Sequence, residues 1–144
     1  LGLLANIVGD KKAVACIEDT AVALPVLADY INEFSQIMKA YGQNAVYYAH
    51  AGAGELHLRP ILDLKKKEDV VLFRKITTDV AKLVKKYNGS MSGEHGDGRV
   101  RAEFVEMMVG AKNYALLKQV KATFDPQNIL NPGKIMMRRR WTHR

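Results

Sequence analysis

The sequence is poor in cysteine and has no long hydrophobic run. Its single cysteine, Cys16, cannot form an internal disulfide, which excludes a disulfide-stapled secreted domain and fits a reducing compartment. The apolar stretch "AVACIED" around it indicates a small buried side chain. No apolar run approaches the roughly 18–20 residues that a membrane-spanning helix needs, and we expect no signal peptide. We therefore expect a cytoplasmic protein, with peripheral association at a membrane as the alternative.

Acidic residues are outnumbered, but the excess of positive charge is concentrated at one end. The 144 residues include 22 lysines and arginines against 15 aspartates and glutamates, for a net charge of +7. Four arginines lie within the last seven residues, "RRRWTHR", so the rest of the chain carries only about +3. We interpret 138–144 as a basic tail, or as a linker that leads to a further redox module, and we expect no nucleic-acid partner.

The length suits one domain with a hydrophobic core, which we place at residues 1–137. The chain begins with Leu1, and its opening "LGLLANIVGD" resembles the interior of a longer protein. We therefore expect that an N-terminal partner domain precedes this one.

Hydrophobic periodicity predicts alternating strands and helices. In chain order these are a strand at 11–20, a helix at 24–42, strands at 44–50 and 55–60, a helix at 66–89, a short strand at 90–94, helices at 102–108 and 112–123, and an irregular segment at 124–135. The second of the hairpin strands is expected to stop at Pro60. The order from the first to the fourth strand predicts an α+β ferredoxin-like sandwich, an antiparallel sheet with helices packed on one face. Such a scaffold indicates no chemistry by itself.

Histidine is scarce, and three of the four histidines lie beside glycine-rich loops. In "YYAHAGAGELHLRP", a turn through "AGAG" can bring His50 and His57 to one place although they are seven residues apart. Two imidazoles and a carboxylate such as Glu94 form a ligand set for zinc or another divalent ion with an open coordination position. The alternative is that each histidine is an ordinary polar residue with satisfied hydrogen bonds.

The segment "SMSGEHGDGRVR" places His95 directly after Glu94. Consecutive residues of an extended loop point in different directions, so Glu94 can bind a metal while His95 acts as a general base. Asp97 either orients the imidazole or favours a turn. In an ideal ferredoxin-like sheet the end of the fourth strand lies away from the hairpin, so topology alone does not bring Glu94 to the two histidines.

Three blocks carry a resemblance to a known family: "YYAHAGAGELHLRP", "GSMSGEHGDGRVR" and "FDPQNILNPGK". With "ACIEDTAVALPVL" they cover nearly the whole chain. The sequence resembles the C-terminal domain of the FAD-linked oxidases related to vanillyl-alcohol oxidase, in the branch of D-lactate dehydrogenase, the glycolate oxidase FAD subunit and D-2-hydroxyglutarate dehydrogenase. The resemblance implies a fragment of a two-domain flavoprotein in which a larger N-terminal domain holds most of the FAD and this domain caps the flavin.

The resemblance also implies roles for individual residues. His50, His57 and Glu94 match positions that bind a divalent metal, usually zinc, and His95 matches the catalytic base. Asn131 in "NPGK" matches a residue that approaches the flavin, and Lys134 is expected to assist it. The implied reaction oxidises a D-2-hydroxy acid, such as lactate or glycolate, to the 2-oxo acid by hydride transfer to flavin.

This chain departs from the family pattern H-A-G-D-G-N-L-H at two positions. Ala53 replaces the aspartate and Glu55 the asparagine. Because groups behind the ligands tune a metal site, the departures bear on the identity and affinity of the metal.

Three arginines, Arg59, Arg99 and Arg101, are candidates to bind a substrate carboxylate, since a guanidinium matches it in geometry. Simple solvation at the surface is the alternative for each. A different class of function is a non-catalytic ferredoxin-like module that binds RNA or a small ligand. RNA binding on such a sheet requires exposed aromatic residues, and only Tyr47 and Tyr48 are available for it.

Overall fold

The computed structural model describes residues 6–136, which fall into two compact units, 6–94 and 95–136. The tail predicted at 138–144 and the first residue, Leu1, lie outside the described residues. The predicted α+β class with an antiparallel sheet is confirmed. No helix within residues 6–136 combines the length and the apolarity required to cross a membrane.

The first unit contains four strands and two long helices, close to the predicted positions. They are β1 (Lys12–Ala13), β2 (Ile17–Ala21), α1 (Leu27–Ala40), β3 (Ala45–His50), β4 (Glu55–Leu62) and α2 (Lys67–Lys86). A 3-10 turn at Leu24–Val26 leads into α1, with Pro25 near its start, where a missing N–H costs nothing.

Strand β4 is the centre of the sheet. It pairs antiparallel with β3 on one side and with β1 and β2 on the other, the order expected for the first three strands of a ferredoxin-like sandwich. The predicted fourth strand at 90–94 is reduced to one bridge between Ala21 and Ser90. Asp19 explains the difference: its φ of 57° takes β2 out of the extended conformation, so the ladder cannot continue past this point.

The prediction that β4 stops at Pro60 is wrong, because the strand continues to Leu62. The carbonyl of Pro60 accepts a hydrogen bond from the Val14 amide, at 2.8 Å. Directly opposed antiparallel residues of this kind normally exchange two hydrogen bonds, and proline lacks the N–H for the second. The irregularity therefore lies in the neighbouring strand and not in β4: the predicted strand at 11–20 is interrupted between β1 and β2.

Both helices lie on one face of the sheet and enclose the core of the first unit. Residues at three- and four-residue steps on α1 and α2 are buried against alternate residues of the strands. Cys16 is fully buried, as predicted. The largest fully buried apolar side chains of this unit include Tyr30, Phe34, Ile17, Leu58, Leu62, Ile76, Val80 and Val84.

The second unit is helical. A 3-10 turn at Ala102–Phe104 leads into α3 (Val105–Val109), and Gly110, at a φ of 82°, separates it from α4 (Ala111–Phe124). Both predicted helices are confirmed. The segment after α4 is irregular, as predicted, and is held by Asp125, whose carboxylate accepts hydrogen bonds from the amides of Ile129 and Leu130.

Candidate metal centre

The two faces of β4 have opposite character. Leu56 and Leu58 point toward the helices, whereas Glu55, His57 and Arg59 alternate with them on the other face. These three polar residues are nevertheless largely shielded, with only 4% of His57 exposed. A row of polar side chains at buried positions indicates a site, because such groups are costly to bury without a function or a partner.

His50 reaches the same face through the turn that joins β3 and β4. The strands pair Tyr48 with His57 and His50 with Glu55, so all four side chains project to one side. Gly54 closes the turn with a φ of 70°, and a Cβ on it would lie 2.1 Å from the carbonyl oxygen of Val22. The imidazole rings of His50 and His57 are 5.3 Å apart between centroids. The prediction that the "AGAG" turn brings both histidines together is confirmed.

Glu94 completes the group. Its Oε1 atom lies 3.8 Å from Nε2 of His50 and 3.7 Å from Nε2 of His57. One ligand atom from each of these three residues lies within 4.8 Å of the other two. An ideal ferredoxin-like topology does not by itself bring Glu94 to the hairpin, and the departure from that ideal lies in the fourth strand. Because the fourth strand is a single bridge at Ser90, the chain has not left this end of the sheet when it reaches Glu94.

Asp19 holds the segment that carries Glu94. Its fully buried carboxylate accepts hydrogen bonds from the Ser92 hydroxyl, at 2.6 Å, and from the Glu94 amide, at 3.0 Å. Its own carbonyl accepts one from the Gly93 amide, at 2.6 Å. Sequence reasoning did not select Asp19 as a site residue. The available signal was an acid pair, "ED", inside an otherwise apolar strand.

Glu18, the other member of that pair, lies behind His57. Its Oε1 is 3.5 Å from Nδ1 of His57, accepts a hydrogen bond from the Tyr48 hydroxyl at 2.9 Å, and pairs with the guanidinium of Arg59. The Tyr48 ring stacks on the His57 imidazole, with centroids 4.6 Å apart and planes at 10°. Burial and then the bond to Glu18 raise the pKa of Tyr48 above its ordinary value. His57 is therefore fixed by a carboxylate at its edge and a ring on its face.

Glu55 is the most unusual group near the histidines. Its side chain is 10% exposed, and its Oε1 atom is buried without a hydrogen-bond partner among the described residues. That atom lies 4.0 Å from Nε2 of His57. A Cβ on Gly93 would lie 2.8 Å from the Glu55 carboxyl carbon, so the backbone before Glu94 lies directly on this carboxylate.

The donor set fits a divalent metal. Tetrahedral ligands at bond lengths of about 2.0–2.1 Å lie about 3.3 Å apart. The two distances from Glu94 to the imidazoles exceed this by less than 0.6 Å and are too long for direct hydrogen bonds. The His50 side chain is 62% exposed and that of Glu94 45%, so one side of the group is accessible, whereas His57 is buried. An accessible side is what a metal that also binds a substrate requires.

Apart from Arg59 on β4, the other predicted site residues belong to the second unit. His95, Arg99, Asn131 and Lys134 are exposed there, and Asn131 adopts a φ of 48°. Arg101 is buried, and its guanidinium donates to the Gly96 carbonyl, so this candidate for substrate binding holds the glycine loop in place. The structure thus brings together His50, His57 and Glu94 in the first unit.

Comparison with known proteins identifies the family of this chain. Residues 1–135 match the family described as FAD linked oxidases, C-terminal domain. The chain is 44% identical over 135 residues to D-2-hydroxyglutarate dehydrogenase of Escherichia coli (strain K12), which covers 94% of this chain and 13% of that protein. It is 33% identical over 128 residues to D-lactate dehydrogenase of Archaeoglobus fulgidus, covering 89% and 28%. It is 30% identical over 124 residues to glycolate oxidase subunit GlcD of Bacillus subtilis (strain 168), covering 86% and 26%.

The chain therefore spans well under a third of the length of these relatives. The match to the family, by contrast, extends over nearly the whole chain. The chain belongs to the family of C-terminal domains of the FAD-linked oxidases.

Proposed function

We propose that this chain is the substrate-side domain of an FAD-dependent dehydrogenase that oxidises a D-2-hydroxy acid to the 2-oxo acid. The observation that carries the proposal is the convergence of His50, His57 and Glu94 on the face of the sheet opposite the helices. Relatives named D-2-hydroxyglutarate dehydrogenase, D-lactate dehydrogenase and glycolate oxidase subunit support the substrate class. Among these acids, D-2-hydroxyglutarate is the first to test.

His50, His57 and Glu94 would hold a divalent ion, with zinc as the first candidate. A divalent ion supplies Lewis-acid chemistry toward the oxygens of a substrate when bound. The surroundings of His57 prepare it for this role. The Glu18 carboxylate, 3.5 Å from Nδ1, favours a proton on that nitrogen, which leaves the lone pair of Nε2 directed toward Glu94.

Removal of the hydroxyl proton is assigned to His95. Its position directly after Glu94, in a loop that contains Gly93, Gly96 and Gly98, supports this role. FAD supplies the hydride acceptor and would be held mainly by a preceding domain. Asn131 and Lys134 are proposed to approach the flavin, and a further redox module is proposed as the electron acceptor.

The substrate carboxylate is assigned to Arg59 and Arg99. Arg59 shares the polar face of β4 with His57, and its pairing with Glu18 holds the guanidinium in a fixed position. Arg99 is exposed and follows the glycine loop. The rival function, an RNA-binding module, loses support from the position of Tyr48, whose ring stacks on His57 and whose hydroxyl donates to Glu18.

The test is reduction of the flavin in the intact protein by a panel of D- and L-2-hydroxy acids, with and without a chelator. We expect bleaching by at least one D acid and loss of this activity after chelation. A positioned base contributes about 10²- to 10⁴-fold, so His95→Ala should slow flavin reduction by that factor. The double variant His50→Ala, His57→Ala should lose the bound metal, whereas His143→Ala, in the basic tail, serves as the control.

Two results would contradict the proposal. If the His50, His57 double variant kept one metal ion per chain, the ligand assignment would be wrong. If flavin reduction by every 2-hydroxy acid proceeded at the same rate in His95→Ala, the assignment of the base would be wrong. RNA binding that survives near-physiological salt would instead favour the rival function.

A further inference from the structure

Three carboxylates surround the imidazole of His57. Glu18 lies 3.5 Å from Nδ1, and on the other side Glu94 and Glu55 lie 3.7 and 4.0 Å from Nε2. Arg59 balances the charge of Glu18. Two carboxylates therefore lie on the Nε2 side of the ring.

Glu55 is the member of this group whose position needs an explanation. Burying a carboxylate oxygen without a hydrogen bond destabilises the fold, because the oxygen loses its hydration and no protein group replaces the lost hydrogen bonds. Glu55 Oε1 is in this situation among the described residues, yet it sits at the start of β4 in a regular pair with His50. The contact of Gly93 with the carboxyl group restricts where the side chain can turn. A positive partner on the His57 side would remove the cost.

We propose that Glu55 is a fourth protein ligand of the divalent cation, which makes the site a set of two histidines and two glutamates and leaves a substrate oxygen to occupy a fifth position. This inference rests on the metal centre proposed above and deepens it. Two carboxylates and a divalent cation are neutral together, so the charge of the Nε2 side is balanced. The added oxygen donor favours metals that prefer carboxylates: the set suits Mn²⁺ better, relative to Zn²⁺, than two histidines and one glutamate would.

The experiment compares metal affinities of the intact protein and its variants, stripped of metal and titrated with Zn²⁺ and with Mn²⁺ against a chelating indicator. Glu55→Gln keeps the shape of the side chain and removes its charge. Glu68→Gln is the matched control, since Glu68 is exposed in the first turn of α2. Loss of a group behind a metal ligand typically weakens binding 10- to 100-fold, so the loss of a ligand should cost at least tenfold.

We expect at least a tenfold loss of Zn²⁺ affinity in Glu55→Gln, a larger loss for Mn²⁺, and no change in Glu68→Gln. Glu55→Asp, which keeps an oxygen donor, should retain part of the affinity. The visible absorption of bound Co²⁺ should also change in Glu55→Gln, because its ligand field loses an oxygen. Without metal, Glu55→Gln should melt at the same temperature as the wild type or higher, which separates a ligand from a residue needed for folding.

The outcomes distinguish this inference from the proposal on which it rests. If Glu55→Gln bound both metals within twofold of the wild type while Glu94→Gln lost them, the inference would be overturned and the centre of His50, His57 and Glu94 would stand. If neither substitution changed the affinity, both would be wrong. A metal-free Glu55→Gln protein that melted well below the wild type, with the Co²⁺ spectrum unchanged, would make Glu55 a structural residue and overturn the inference.

Discussion

Asp19 offers a direct test of how the segment carrying Glu94 is held in place. Replacing Asp19 with alanine removes the acceptor of two hydrogen bonds, from the Ser92 hydroxyl and from the Glu94 amide. Hydrogen bonds to a charged group contribute about 1.5–3 kcal/mol each, so opening of this segment should become easier by about 3–6 kcal/mol. Since 1.4 kcal/mol is a factor of ten, exchange of the Glu94 amide hydrogen should accelerate at least about 100-fold.

Hydrogen exchange of residues 90–94, followed by mass spectrometry in the intact protein, measures this local opening. Asp19→Asn should show a smaller effect, since asparagine accepts hydrogen bonds and tolerates the left-handed conformation at φ 57°. Asp19→Gly should exchange as fast as Asp19→Ala or slower, because glycine adopts this φ without strain. The exposed Asp10, paired with Lys65, provides the control Asp10→Ala. Unchanged exchange at 90–94 in Asp19→Ala would refute the reasoning, as would faster exchange with full metal affinity.

Two further predictions concern the hairpin and the helices. Gly54→Ala forces a Cβ to within 2.1 Å of a backbone carbonyl oxygen at a φ of 70°, so it should lower the melting temperature by more than about 5 °C. Gly52→Ala should leave the melting temperature unchanged, because a Cβ there meets nothing within 4 Å. Equal melting temperatures of the two variants would contradict this account. Lys86 and Tyr87 donate to Glu33 and hold the pKa of its carboxyl below the ordinary value of 4.5. Because the folded-state pKa is lowered, the stability from Glu33 is present above the unfolded-state pKa and is lost as the pH falls through the folded-state pKa. The melting temperature should therefore decline less steeply with acid in Glu33→Gln; identical acid curves would show that these bonds contribute nothing.

The elements that depend on local patterns were predictable. The three- and four-residue spacing on α1 and α2 and the alternation along β4 each follow from a side chain's place on one face of a single element. The errors occurred where two strands meet. The effect of Pro60 falls on the neighbouring strand, which is interrupted opposite it, and β4 itself continues. The fourth strand is short because Asp19, in a different strand, adopts a positive φ. Neither event is visible in the segment that it changes.

The candidate site also has a part that follows from local sequence patterns and a part that depends on distant segments of the chain. His50 and His57 could be paired from the sequence because the turn between them is local. The approach of Glu94 could not, since it depends on hydrogen bonds to Asp19, 75 residues away along the chain. Glu55 was noticed as a departure from a pattern, but its buried oxygen beside His57 is a property of the folded sheet.

The acid pair in β2, Glu18 and Asp19, connects an irregularity of the backbone to the geometry of the proposed metal centre. Between Ile17 and Thr20 the strand has one residue more than its partner β4, whose Leu58 and Leu56 oppose them. Such a bulge redirects side chains that would otherwise alternate strictly. Here it lets two consecutive acids support two of the proposed ligands: Glu18 lies behind His57, and Asp19 holds the backbone of Glu94. A regular strand would leave one of these ligands without its support. The bulge is therefore the local feature on which the geometry of the proposed metal centre depends most.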